Sequence, residues 1–377
     1  MRSSPRGILI AFAVLVVLAL VLRPRAAAIP PGCAGPPLRT AEARQKAMEQ
    51  GYMLNREHDC IDKQSYDEVT AATKLVDGMM KEATAAARAS GAIPDSGVTL
   101  AQARQGFVTR YAQPAGLSHP LPNPPANFFV RTDYASAGLV LPAFVTPDPR
   151  DGKKHPAIIW LTGGDSNTLD DFWTPGPEEN DQSVSAFRNA GMVVMFPTLR
   201  GGNTNPGGKE FFLGEVDDVL AAADHLAQQS YVDPNRIYLG GHSTGGTLAL
   251  LTSETSGRFK AVFAFGPVSM SDHYPESILP EMTGQGNSRE RMLRSPIHWL
   301  SGIASPTYLI EGAGSPNSED VRNMCGMTQN AQVHCIVAAG SDHFSVLTRV
   351  TRVIAARLAV GGDADFTLRP EEFASAR

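Results

Sequence analysis

From residue 155 onward the chain repeats one pattern, a short apolar run rich in β-branched and aromatic residues followed by a longer stretch with helical spacing. The runs are HPAIIWLTGG (155–164), GMVVMFPTLRGG (191–202), RIYLGGHS (236–243), KAVFAFGPVS (260–269), PTYLIEG (306–312) and VHCIVAAGSDH (333–343). Strands that are apolar almost throughout leave no face for water. Alternating with helices, they predict an α/β fold with a mostly parallel central sheet flanked by helices on both faces. Upstream, NFFVRTDYASAGLVLPAFVTPD (127–148) reads as two further strands joined by a turn.

The third of these runs continues into IYLGGHSTGGTLALL (237–251), where glycines surround one serine and a small-residue helical pattern follows. In a parallel sheet, ligand chemistry gathers at the carboxyl ends of the strands. Gly241-His242-Ser243-Thr244-Gly245 fits Gly-x-Ser-x-Gly, in which a serine on a sharp strand-to-helix turn is lifted above the sheet. The flanking glycines are required because a Cβ there meets the neighbouring strand or helix. The helix behind the serine aims free amides and a positive dipole end at the same point. Ser243 is therefore the candidate nucleophile.

A serine needs a base, and the chain order for this type of turn is Ser, then acid, then His. His343 lies on the loop after the last predicted strand. The other histidines suit the role less. His225 falls in a helical run, His334 in a strand, and His298 beside Trp299 in a packing segment; His242 adjoins the serine but is expected to point away from the reacting face. The acid is expected a few residues beyond PTYLIEG, where Ser315 stands. Glu311 at the carboxyl edge of the strand is the first choice, with Asp320 and Asp272 as alternatives. Glu319 and Asp320 also read as the acidic first turn of a helix capped by Ser318. Asp342 is too close in sequence to reach the far nitrogen of His343. The oxyanion donors are expected at the Thr244 amide and in the loop TGGDSN (162–167), from Gly163, Gly164 or Asp165. Two segments are candidates to shape a substrate pocket: 165–181, with Phe172 and Trp173, and RGGNTNPGGKEFF (200–212). Arg200 is read as one member of a structural ion pair.

The remaining sequence divides into four regions. Residues 1–28 carry Arg2 and Arg6 ahead of an uncharged run from Gly7 to Leu22, and form a signal peptide or N-terminal membrane anchor. Residues 29–125 form a helical N-terminal extension and a Pro-rich connector, 126–362 the α/β catalytic domain, and 363–377 a polar tail. The bulk of the chain is expected to be exported, in a periplasmic or other extracytoplasmic position. Four cysteines agree with that, pairing locally as Cys33 with Cys60 and Cys325 with Cys335. No Cys-x-x-Cys spacing or flanking histidine pair points to a metal, and no cofactor is implied. The net charge of −5 offers no basic field for nucleic acid.

The succession 191–246, then SPTYLIEG (305–312) and GSDHF (340–344), resembles the catalytic domain of the prolyl oligopeptidase family of α/β-hydrolases. The resemblance spans roughly half the chain, from about Pro156 to His343. It implies the α/β-hydrolase fold and serine hydrolysis through an acyl-enzyme, with Ser243 and His343 carried over. Two departures stand out. Ser315 occupies the usual acid position, and the segment before Phe128 is too short for the propeller domain of the large oligopeptidases. The expected substrate is accordingly a small-molecule ester or a short peptide. The alternative prompted by the missing acid is a non-catalytic, membrane-anchored binding protein on a hydrolase scaffold.

Overall fold

The computed structural model describes residues 98–114, 119–275, 278–280, 288–359 and 366–374, together with the strands Met53–Leu54 and Cys60–Ile61. Its contacts divide the chain into Met1–Pro94 and Asp95–Arg377. In the first unit, the two short strands pair antiparallel, Met53 opposite Ile61 and Leu54 opposite Cys60. These strands lie within the stretch expected to be helical; the expected leader, the rest of the helical extension up to residue 97 and Cys33 lie outside the described residues.

The second unit is built on eight strands: β1 Val130–Ser136, β2 Leu139–Val145, β3 His155–Leu161, β4 Val193–Pro197, β5 Val232–His242, β6 Val262–Phe265, β7 Thr307–Gly312 and β8 Val333–Ala338. They lie in the order β8-β7-β6-β5-β3-β4-β2-β1. Strands β3 to β8 run parallel, and β2 and β1 add antiparallel at one edge. Among the described residues its α-helices are α1 Leu100–Arg104, α2 Ser185–Asn189, α3 Gly214–Ala227, α4 Thr244–Thr255, α5 Ser288–Met292, α6 Ser318–Met327 and α7 Ser345–Ala359.

Alternate side chains of one strand enter different cores, as a period of two requires. Ala157, Ile159 and Leu161 of β3 pack with Val216, Val219, Leu248 and Leu251 of α3 and α4. Ile158 and Trp160 pack on the other face with Phe187 of α2 and Val346, Val350 and Ile354 of α7. Both faces are dry, which explains why the predicted runs lack a polar alternation. In α3, Val216, Val219, Ala222, Ala223 and Leu226 recur at three- and four-residue spacing and are buried.

Two regions pack differently from the sequence expectation. Residues 98–114, assigned to the connector, belong with the sheet unit. Leu100 is wholly buried in the core of α3 and α4, Arg104 donates to the Leu213 carbonyl at 2.6 Å, and Gln113–Pro114 pairs with Gly208–Lys209. The C-terminal tail is polar in composition, yet Leu368 and Phe373 are buried and the Ala339 amide donates to the Phe373 carbonyl at 2.8 Å. Arg200 does form the structural ion pair, with Asp218 at 2.9 Å and Glu210 at 2.7 Å.

Cys325 of α6 and Cys335 of β8 form a disulfide across a separation of ten residues. Closing so short a loop is worth about 2–3 kcal/mol in the chain-entropy account. The Cys325→Ala/Cys335→Ala variant should lose about that much in denaturant unfolding. An unchanged midpoint would show the bridge to be without effect on the fold.

Glu254, near the end of α4, is 1% exposed and neither carboxyl oxygen has a hydrogen-bond partner. Burial raises its pKa well above the ordinary 4.5. Above that pH the folded chain retains a proton that the unfolded chain releases, so this group's contribution falls as pH rises through the folded-state value. Glu254→Gln should flatten that part of the stability profile and exceed the wild type at pH 8. Parallel unfolding profiles for the two proteins would refute this.

Candidate active site

Strand β5 ends at His242 and α4 begins at Thr244, which leaves Ser243 alone to reverse the chain. It does so at φ 57° and ψ −117°, a backbone region that costs a non-glycine residue about 1–3 kcal/mol. Two backbone bonds hold it there. Its amide donates to the Phe265 carbonyl of β6 at 2.8 Å, and its own carbonyl accepts the Thr247 amide at 2.9 Å. A Cβ on Gly241 would collide with the Gly245 carbonyl, and one on Gly245 with the carbonyls of Leu161, the last residue of β3, and Thr162 just beyond it. The turn lies where the chain, having gone from β3 outward to β4, crosses back to β5 on the other side of β3. Such a reversal of strand order opens a crevice at the carboxyl ends.

His343 follows β8 on the loop into α7. Its Nδ1–H donates to Glu311 Oε2 at 2.9 Å, and the other carboxylate oxygen accepts the Gly312 amide at 2.7 Å. Glu311 is fully buried. With the proton on Nδ1 directed at the carboxylate, Nε2 is the basic nitrogen. Gly266 makes room for this pair: at its φ of +60°, a Cβ would lie 2.8 Å from His343 Nδ1 and 2.7 Å from Glu311 Oε2. Gly266 directly follows Phe265, the residue that accepts the Ser243 amide. The ends of β5, β6, β7 and β8 therefore bring Ser243, His343 and Glu311 to one place.

The other carboxylates have different partners. Asp320 accepts from the Ser269 amide at 2.9 Å, from the Ser269 hydroxyl and from His273 Nδ1 at 2.7 Å. Asp272 is half exposed and faces Arg291 at 3.6 Å. Ser315 Oγ accepts the Asn317 amide. The non-catalytic alternative rests on the lack of a carboxylate at position 315; Glu311 on the strand engages the imidazole instead and removes that support.

Thr244 occupies the first position of α4, where a helical amide has no intrahelical acceptor. Its hydroxyl donates to the Gly164 carbonyl at 2.8 Å and ties the loop after β3 to the start of the helix. A Cβ on Gly163 would come within 3.3 Å of the Ser243 Cβ, so this loop passes directly beside the serine. The Asp165 carboxylate is turned to Lys209 at 2.6 Å and to the Thr168 hydroxyl at 2.8 Å.

A cavity of about 200 Å³ opens beside Thr244 and Gly164, with Lys209, Phe211, Phe212 and Ile278 among its walls. Phe211 and Phe212 both have positive φ, 54° and 72°. The wholly buried Arg294 fixes this bend by donating to the Phe211 and Glu210 carbonyls at 2.7 and 2.9 Å while pairing with Glu290. Phe172 and Trp173, the predicted substrate residues, do not line this cavity. They pack on Phe196 and Phe144, with ring centroids 6.2 and 5.7 Å apart. The useful signal was the aromatic pair closing GGKEFF, next to the helix that follows.

His242 also departs from expectation. Its ring faces the His343 loop: Nε2 lies 2.9 Å from the His343 carbonyl oxygen, and the two imidazole centroids are 4.5 Å apart. Burial lowers its pKa to about 3, with the neighbouring His343 adding to the shift. Among the described residues, no group of three or more His, Cys, Asp and Glu could hold a metal ion.

The chain is similar to several known proteins. Residues 179–314 match the family model of the prolyl oligopeptidase family; the match contains Ser243 and Glu311, and His343 lies beyond it. The chain is 26% identical over 194 residues to the uncharacterized peptidase YtmA of Bacillus subtilis, covering 49% of this chain and 72% of that protein. It is 32% identical over 136 residues to dipeptidyl-peptidase 5 of Porphyromonas gingivalis, covering 33% of this chain but only 18% of that longer protein. The crystal structure of puromycin hydrolase superposes with a TM-score of 0.51 at 18% identity, covering 67% of this chain and 43% of that one, and shares the fold. Residues 179–314 thus match the prolyl oligopeptidase family, the fold is that of the α/β-hydrolases, and the chain is a serine hydrolase.

Gly245→Ala tests the packing of the serine turn. Its methyl must enter the space of the Leu161 and Thr162 carbonyls, which should cost about 3 kcal/mol or more or prevent folding. A variant with the wild-type denaturant midpoint would sink this account of the turn.

Proposed function

We propose that this protein hydrolyses ester or amide bonds of small substrates, short peptides included, through an acyl-enzyme on Ser243. The single observation that carries the reading is the buried Glu311 bonded to His343 Nδ1, at the strand ends that also hold Ser243.

In this reading Ser243 Oγ attacks the substrate carbonyl carbon while His343 Nε2 takes its proton. Glu311 keeps the imidazole in the Nδ1–H tautomer and stabilises the imidazolium as it forms. The oxygen that becomes negative is held by the Thr244 amide, at a helix N-terminus, and by the loop beside it, with the Gly164 amide the leading second donor. Collapse breaks the bond to the alcohol or amine, which leaves with the His343 proton. Water, deprotonated by the same nitrogen, then releases the acid and restores Ser243. The role of Gly164 is supported by its tie to Thr244 and by its place in the cavity wall.

Two observations favour a small substrate. The cavity is of the size of one side chain or a short acyl group, and Phe211 and Phe212 give it an apolar wall. The similarity to named peptidases supports peptide bonds as targets. The apolar leader of residues 1–28 and the Cys325–Cys335 disulfide support action outside the cytoplasm, where disulfides persist.

A fluorophosphonate probe should label the wild type and not Ser243→Ala. On a panel of short-chain esters and of aminoacyl and dipeptidyl amides, Glu311→Gln should lower kcat by about 10³–10⁴, as expected when a triad acid is replaced by its amide. Asp320→Asn and Asp272→Asn should stay within about threefold of wild type, since their carboxylates do not meet His343. An unlabelled wild type, under conditions where a control hydrolase reacts, would overturn the proposal.

A further inference from the structure

The residue just before the nucleophile has a partner that catalysis as described does not use. We infer that His242 is a positioning residue: by donating its Nε2–H to the His343 carbonyl, it fixes the backbone carrying the base relative to the strand carrying the nucleophile. This inference rests on His343 acting as the base for Ser243.

The need for such a tie follows from the chain. Ser243 is held by β5 and β6, in the middle of the sheet. His343 stands on a connecting loop, the kind of segment with the least intrinsic rigidity. Its imidazole is held by Glu311, but that side-chain bond fixes one ring nitrogen and not the peptide unit of residue 343 itself. On one side of it the Ser341 carbonyl accepts the Gly314 amide at 3.0 Å, and on the other Asp342 accepts from the amides of Phe344 and Ser345. The His242 bond, 2.9 Å long, crosses from the nucleophile's strand to the base's own peptide unit. Because a carbonyl only accepts, Nε2 must carry the hydrogen. Burial at 2% exposure keeps the ring in that neutral state, since its pKa falls to about 3. Neutrality matters a second time. His343 becomes imidazolium during acylation, and a positive ring 4.5 Å away would oppose it.

His242 also packs against the rings of His343 and Phe344, so a purely space-filling role must be separated from hydrogen-bond donation. His242→Phe keeps a ring and removes the donor. His242→Gln keeps a donor at comparable reach and removes the ring. In the full chain, the Phe variant should lower kcat and the fluorophosphonate labelling rate by about 10–100-fold, the scale of a small misalignment of reacting groups. Its KM should stay within about twofold, because no substrate contact is lost. The Gln variant should recover to within about fivefold of wild type. If the Phe variant does not fold, His242→Leu against His242→Gln makes the same comparison. A donor-less variant that labels at the wild-type rate, or a Gln variant as impaired as the donor-less one, overturns the inference while leaving Ser243 chemistry intact. A wild type that resists labelling sinks instead the mechanism on which it rests.

Discussion

A strand that stops one residue before a helix starts must turn within that residue, and at Ser243 this constraint organises the molecule. The reversal forces a positive φ on a side chain that prefers otherwise, and the fold accepts it because the Phe265 carbonyl and the Thr247 amide hold both sides of the peptide. It also forces α4 so close to β3 and β5 that positions 241 and 245 have no room for a Cβ. One hydroxyl is thereby raised at the strand ends, with helical amides beneath it. The strain lies at the strand ends, and the buried central strands below supply the rigidity that sustains it.

The electrostatic arrangement follows from the same sheet. Carboxylates near the site are each assigned a separate partner: Glu311 the imidazole of His343, Asp320 the His273 ring and Ser269, Asp165 the Lys209 ammonium. A buried carboxylate is tolerable only with donors on its oxygens, and Glu311 has one on each. His242 is treated in the opposite way, kept uncharged by burial beside the His343 ring.

Much of this was legible in the sequence, and the parts that were not have physical reasons. Apolar runs such as AIIWL and VFAF report burial on both faces directly, so the parallel sheet could be read off. Ser243 and His343 were marked by turn chemistry and chain order, and the structure brings their strand ends together. Glu311 ranked first among the acids because it had no capping role to explain it. Burial by distant partners left no comparable signal. Leu100, Leu368 and Phe373 sit in short polar surroundings without periodicity, and only the tertiary fold shows that they are covered. Phe172 and Trp173 looked like pocket residues because aromatics in a loop carry no sign of which side they face; they turn inward, while Phe211 and Phe212 meet the cavity. The direction of His242 depends on a loop a hundred positions away.

The position of the acid has an architectural consequence. Glu311 belongs to β7 itself, not to the bend that follows it, and its second oxygen is held by the very next amide. The bend from 313 to 317 is thereby freed from carrying a charge that must be aimed to within a fraction of an ångström. Its remaining bonds brace the neighbouring segments: the Gly314 amide donates to the Ser341 carbonyl at 3.0 Å, and the Asn317 side-chain amide to the Gly266 carbonyl at 3.1 Å. A designer grafting a longer recognition loop at this edge would have to keep those two bonds, but not an aimed charge.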